Sequence, residues 1–252
     1  MTGSDEAPLA GRLAVVTGAT GGLGRACAGA LAAAGADVAL IARSEEPLHE
    51  LAAAIEAGGG SAVALPCDVT DAAAVRRAFA ALDAPDVLVT CAGGNRPRPF
   101  LEVTADDLEW SWRLNVRGAF VCSQAAARRM VAAGRGGAVV HVSSQMGHVG
   151  AELRTAYCAA KHAVEGLTKA SAVELAPHGI RVNSVAPTFV ETPMTRPFLA
   201  DPAARSAIVE RIPLGRLGTP EEVAAAVLFA ASPASALMTG ASILVDGGWT
   251  AR

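Results

Sequence analysis

Short apolar, β-branched runs recur along the chain and alternate with longer Ala/Leu-rich stretches of helical character. The runs predict strands at Leu13–Thr17, Val38–Ala42, Ala62–Leu65, Val87–Thr90, Ala138–Val142, Arg181–Val185 and Ser242–Val245. The stretches between them predict helices near 22–34, 45–57, 71–82, 105–133, 155–176 and 220–231. A strand that is apolar on both sides needs cover on both sides, and helical crossovers supply it. The pattern therefore predicts an α/β, doubly wound Rossmann fold. Its seven-stranded parallel sheet would carry helices on both faces and its ligand at the carboxyl ends of the strands. No repeat, linker or shift in composition divides residues 1–252, so one domain is expected, with a flexible N-terminus over 1–10. Residues 188–215 break the alternation with Pro193, Pro197, Pro202 and Pro213, and are expected to form a substrate lid.

Composition narrows the function. With 52% hydrophobic and 18% charged residues, the chain has the means to bury a core and disorder is excluded. A net charge of −3 without any Lys/Arg-rich run argues against nucleic acid as a partner. The opening MTGSDEAPLAGR has acids and no apolar core, unlike a secretory signal. The uncharged stretch Val223–Val245 has the length to span a bilayer. Ser232-Pro233, Ser235 and Thr239-Gly240 interrupt it, so it reads as a buried helix, a turn and a strand, with no membrane contact. The five cysteines, at 27, 67, 91, 122 and 158, are odd in number and form no CxxC pair. They suit a reducing, cytoplasmic compartment and no metal site.

The first predicted strand leads into Thr17-Gly18-Ala19-Thr20-Gly21-Gly22-Leu23-Gly24 and then a helix. Glycines at 18, 22 and 24 permit positive φ and let backbone N–H groups approach a pyrophosphate at a helix N-terminus. A plain tight turn has the same look, and the position between strand and helix favours the dinucleotide reading. The second strand ends in Ala42-Arg43-Ser44, and its only acid, Asp37, stands at the opposite end. An Arg at this place accommodates a 2′-phosphate, which favours NADP(H) while leaving NAD(H) possible. Asp68-Val69 is placed to meet an adenine ring, and Asp68 serves equally as a helix cap.

Tyr157 and Lys161 are four residues apart in a helical stretch and share one face. A phenol has a reference pKa of about 10. A neighbouring ammonium lowers it, so Tyr-x-x-x-Lys suits a general acid/base at working pH. Ser144, at the end of the fifth strand, offers a hydroxyl to a substrate oxygen, or a turn cap. Asn115 stands in a helical stretch where Asn is a mediocre former, which asks for a hydrogen-bonding reason.

Together and in this order these residues resemble the short-chain dehydrogenase/reductase family, over about Arg12 to Trp249. The resemblance rests on Thr17-Gly18-x-x-x-Gly22-x-Gly24, Asp68-Val69, Ala92-Gly93, Asn115, Ser144, Tyr157-x-x-x-Lys161, Arg181-Val182-Asn183 and Asp246-Gly247-Gly248. It implies that Tyr157 exchanges a proton with the substrate oxygen, and that Ser144 positions that oxygen. It implies that Lys161 lowers the tyrosine pKa and holds the nicotinamide ribose, and that Asn115 anchors a relay reaching Lys161. It extends the cofactor contacts to Thr20, Leu23, Ala92, Gly93, Pro187, Thr188, Val190 and Thr192, the last at the carboxamide. Hydride transfer needs no metal there. Three positions depart from the family pattern: Thr90-Cys91 replaces Asn-Asn, Thr188 replaces Gly, and Gly21 stands where many NADP(H) enzymes carry a base.

Pocket walls in the family come from loops after strands four, five and six. Here these hold Asn95, Arg96 and Arg98; Gln145, Met146, His148, Glu152 and Arg154; and Phe189, Met194 and Phe198. Asn95, Met146, Arg154, Phe189 and Met194 are the substrate candidates. Their polar share points to a small sugar, polyol or hydroxy acid. Reduction of a 3-oxoacyl thioester on an acyl carrier protein is an alternative, and a non-catalytic dinucleotide-binding regulator another. The resemblance implies a homotetramer. Trp249 is expected either against a neighbour or closing its own core.

Overall fold

The computed structural model describes residues 7–251. All seven predicted strands form: β1 (Leu13–Thr17), β2 (Asp37–Ala42), β3 (Ser61–Pro66), β4 (Val87–Thr90), β5 (Gly137–Val142), β6 (Ile180–Pro187) and β7 (Ser242–Val245). They pair in parallel in the order β3-β2-β1-β4-β5-β6-β7. The order reverses direction beside β1, so the first strand's outlet faces the crevice where parallel sheets bind ligands.

Side-chain alternation along the strands feeds two cores. Val16, Leu40, Val89 and Val140 pack on one face with α1 (Gly22–Ala33), α2 (Glu45–Ala57) and residues of the late helix Pro220–Ala231. Val15, Ile41, Leu88 and Val139 pack on the other with Val75 and Phe79 of α3 (Ala72–Ala80) and with residues of two longer helices that follow β4 and β5. The edge strands differ from the two-sided expectation. β3 is half-covered at best, and Val63 and Leu244 are exposed, because each edge has a neighbour on one side only.

The helix expected over 105–133 is three pieces: α4 (Ala105–Ser111), a π-helical turn (Trp112–Arg117) and α5 (Gly118–Ala133). Such wide turns occur where a side chain is re-aimed, and Asn115 lies inside this one, 1% exposed. α6 (Thr155–Leu175) follows β5. Segment 188–215 carries two short helices, α7 (Arg196–Leu199) and α8 (Pro202–Val209). The uncharged stretch resolves into α9 (Pro220–Ala231), a turn and β7. Among the described residues no helix is long and apolar enough to cross a membrane. Of the segment expected to be flexible, 1–6 lie outside the described residues. Residues 7–10 turn back onto the protein, with Leu9 2% exposed and its N–H donating to the Ala34 carbonyl. Its apolar side chain gains more from the core than a free end would keep in entropy.

His141 on β5 is fully buried between Ser123 and Thr168. Thr168 Oγ1 donates to the Val164 carbonyl at 2.8 Å. It therefore accepts from Nδ1–H of His141, and Nε2 accepts from Ser123. Burial, aided by the Lys161 charge, lowers the imidazole pKa to about 4. The unfolded chain takes a proton as pH falls below its ordinary value of 6.5, whereas the folded chain resists until about 4. Folding stability should thus be whole above 6.5 and lose about 3 kcal/mol from this group on the way down to pH 4. Denaturant titrations of wild type and His141→Gln across that range test this: the variant, though weaker throughout, should show the flatter pH dependence.

Candidate active site

The end of β1 turns sharply into α1. Gly18 has φ +65°, and a Cβ there would sit 2.7 Å from Ala92 Cα at the end of β4. Among the three motif glycines, only Gly18 has a positive φ. Gly22 and Gly24 lie in the first turn of α1 and are needed for closeness instead. A Cβ on Gly24 would stand 2.2 Å from the Gly18 carbonyl oxygen, and one on Gly22 2.8 Å from the Thr192 side chain. The turn, the β4 end and the Thr192 segment therefore enclose a cleft of about 380 Å3 at the carboxyl edge of the sheet.

Every residue read as cofactor-binding borders that cleft: Gly18, Thr20, Gly22, Leu23 and Gly24; Arg43, Asp68 and Val69; Ala92 and Gly93; Pro187, Thr188, Val190 and Thr192; Tyr157 and Lys161. Cys91, a departure from the family pattern, borders it too, as do Gly94, Leu114 and Thr195, which carried no readable signal. Arg43 is exposed and makes no hydrogen bond or ion pair among the described residues. Asp68 Oδ1 accepts from the Thr70 N–H at 2.8 Å, while Asp71 caps α3.

Ser144 and Tyr157 stand where this cleft meets a smaller cavity of about 160 Å3, with Lys161 just behind them on the cleft side. Lys161 is 5% exposed, its Nζ donates to the Val142 carbonyl at 2.8 Å and lies 5.6 Å from the Tyr157 ring centroid. Burial lowers the Lys161 pKa to about 8, against the opposing pull of Cys91 and Glu165. Burial also pushes the Tyr157 phenol up to about 12, with the Ser144 hydroxyl pulling the other way. The lowered tyrosine pKa expected from Tyr-x-x-x-Lys is thus not what the protein alone displays. The ammonium hydrogen bonds to a backbone carbonyl, and desolvation of the phenolate dominates. Ser144 Oγ also accepts from the Met146 N–H at 3.1 Å, so the hydroxyl both caps a turn and faces the cleft.

Asn115 does not border the cleft. Its amide clamps Gly94 from behind: Oδ1 accepts from the Gly94 N–H at 3.0 Å, and Nδ2 donates to the Gly94 carbonyl at 3.0 Å. Nδ2 also donates to the Ser111 carbonyl at 3.0 Å. Gly93 stands between this amide and Lys161.

Asn95, Met146, Arg154, Phe189 and Met194 all border the small cavity, together with Gln145, Pro97, Thr195 and Phe198. Arg96 and Arg98 leave the predicted wall. Asp107, capped by Thr104, draws both guanidiniums (3.7 and 2.9 Å), and Arg96 lies over the Trp110 ring. His148 turns to Ser242 and Glu165, and Glu152 points to solvent. Trp249 is 8% exposed against Phe189 within its own subunit, so it closes the wall of this cavity from behind. A hydrogen bond with Cys27, and then burial, push the Cys91 thiol up, and burial pushes the Cys158 thiol up, so neither is a ready thiolate. Among the described residues no three His, Cys, Asp or Glu side chains cluster to hold a metal. A larger cavity, about 430 Å3, opens at the opposite end of the sheet, where Asp86 pairs with Arg12 and Arg135 and offers no comparable chemistry.

The sequence profile of the enoyl-(acyl carrier protein) reductase family matches residues 18–250. The chain is similar to L-xylulose reductase of Bos taurus, 42% identical over 243 residues that cover 96% of this chain and 98% of that one. It is similar to L-rhamnose 1-dehydrogenase (NAD(P)(+)) of a Sphingomonas species, 42% identical over 245 residues, 95% of this chain and 96% of that one. Among solved structures, a gluconate 5-dehydrogenase from Burkholderia cenocepacia, in complex with NADP and tartrate, superposes with a TM-score of 0.94. It is 35% identical, with 98% of each chain covered.

Proposed function

The chain belongs to the short-chain dehydrogenase/reductase family, and on that premise we propose that it moves a hydride between NADP(H) and a small polar secondary alcohol or ketone of the sugar, polyol or hydroxy-acid type. The observation that carries this reading is the meeting of Ser144 and Tyr157 at the junction of the glycine-walled cleft and the small cavity, with Lys161 alongside. The relatives, named for L-xylulose, L-rhamnose and gluconate, act on polyhydroxy compounds. A cavity of about 160 Å3 suits such a substrate better than an acyl chain.

The cleft fits the cofactor on its own chemistry. Gly18, Gly22 and Gly24 leave space that any side chain would fill, and the α1 N-terminus brings orphan N–H donors and its dipole to a pyrophosphate. Arg43, unpaired at the end of β2 with no acid beside it, would read a 2′-phosphate. When bound, the nicotinamide supplies or accepts the hydride. In reduction, the Tyr157 hydroxyl gives its proton to the substrate oxygen, which Ser144 holds by a hydrogen bond. In oxidation, Tyr157 accepts that proton. Lys161, fixed by the Val142 carbonyl, places a positive charge beside the phenol and favours phenolate as it forms. Asn115 holds the β4 outlet in place through Gly94. Segment 188–215 walls both cavities through Thr188, Met194 and Thr195, and Phe198 walls the smaller one, which supports its reading as a lid.

We place the protein in the cytoplasm, in keeping with five free cysteines. We also assign it a homotetramer, supported by apolar side chains left exposed on α4, α5, α6, α9 and β7: Leu108, Phe120, Val173, Phe229 and Leu244.

Tyr157→Phe should lower kcat by about a hundredfold or more while NADPH titration gives an unchanged Kd; a variant that still turns over polyols at the wild-type rate would refute the proton role. Arg43→Ala should weaken NADPH about tenfold or more and leave NADH unaffected; equal losses for both would remove the 2′-phosphate reading. Light scattering at micromolar protein should report four subunits, and a monomer mass would exclude the assembly.

A further inference from the structure

One cation in the small cavity has no counter-charge. Arg154 is 7% exposed and, among the described residues, is the sole charged one bordering that cavity. Its guanidinium has five N–H donors. The structure gives them one distant acceptor, its neighbour's Leu153 carbonyl at 3.5 Å, and the face of Phe198 at 5.3 Å. Among the described residues no carboxylate pairs with it. Arg181, also drawn inward, spends its donors on the carbonyls of Ala230, Ser232 and Met238 and on Ser235 Oγ. An enclosed, unpaired guanidinium is costly unless something arrives to pair with it.

Two further observations point the same way. Gln145 is 1% exposed, borders the same cavity, and neither Nε2 nor Oε1 has a partner. Leu153, immediately before Arg154, has φ +59° and is the one non-glycine residue with positive φ among the described residues. A backbone conformation unfavourable for leucine is held there, with Leu153 O accepting from the Arg98 N–H at 3.0 Å, and the chain enters α6 with Arg154 turned inward.

We propose that the substrate carries a carboxylate and that Arg154, with Gln145 beside it, is the residue pair that recognises it, making the substrate a short polyhydroxy acid or its keto acid rather than a neutral polyol or sugar. The inference rests on the oxidoreductase reading above and refines its substrate class. A planar guanidinium matches a carboxylate with two parallel hydrogen bonds. A phosphate, with about twice the charge, would call for a second cation, and among the described residues none borders the cavity. Ser144 and Tyr157 border it as well, so an acid anchored at Arg154 presents its carbinol carbons to them.

Threonate and threitol share one four-carbon skeleton and differ in a carboxylate against a hydroxymethyl group. Calorimetric titration of both into NADPH-saturated protein measures binding without turnover, because the reduced cofactor accepts no hydride from an alcohol. Wild type should bind threonate about tenfold or more tighter than threitol. Arg154→Gln should bring the two within about threefold, with NADPH affinity kept, and Arg154→Lys should retain part of the gap. If wild type binds threonate no tighter than threitol, including no binding of either, the inference is overturned without recourse to any variant. A gap that survives in Arg154→Gln overturns it as well. Oxidation assays with NADP separate the two readings. Turnover of threitol with no binding gap leaves the oxidoreductase reading standing and removes the acid. A binding gap without oxidation of any polyol, sugar or hydroxy acid does the reverse.

Discussion

The site depends on how closely the β1–α1 turn approaches the end of β4. Gly18 lies where a Cβ would come within 2.7 Å of the Ala92 backbone, and Gly24 is pressed against the Gly18 carbonyl. Parallel pairing of β1 with β4 brings these outlets side by side. The cleft is the space left when backbone, not side chain, meets backbone. Asn115 secures the other wall by binding both polar groups of Gly94, and the π-helical turn that carries it breaks the long helix at that place. A helix irregularity that looks like a local defect is thus the means of fixing the β4 outlet.

The second constraint is electrostatic. Lys161, Tyr157 and His141 are titratable groups held in poorly solvated places, and burial moves each toward its neutral form. Lys161 is brought to about 8, and is therefore still mostly protonated near neutral pH. It keeps this charge beside a phenol whose own ionisation the protein alone opposes. The consequence is a proton donor that stays protonated until charge develops on the substrate oxygen or arrives with an oxidised nicotinamide. Arg154 extends the same logic into the small cavity, as a charge enclosed ahead of its partner.

Much of this was legible along the chain. The seven strands fall within a few residues of the positions read from apolar runs, because strands covered on both faces must be apolar throughout. The glycine spacing, Arg43 without an acid, and Tyr157 with Lys161 on one helical face are local relations, and the sequence determined them. What local reading missed was set by contacts distant in sequence. Arg96 and Arg98 looked like pocket residues until Asp107, buried by the fold, drew them away. Gly22 and Gly24 read as positions for positive φ, yet only Gly18 adopts one, and the other two are small because Thr192 and the Gly18 carbonyl press upon them. The direction of the Tyr157 shift depended on how much protein surrounds the phenol, which spacing does not encode. The absence, among the described residues, of a carboxylate paired with Arg154 is likewise a property of the whole assembly of loops. Sequence determines which groups are available and which neighbours share a turn or a strand; desolvation and pairing depend on all that surrounds a group in space, so only the tertiary structure decided them.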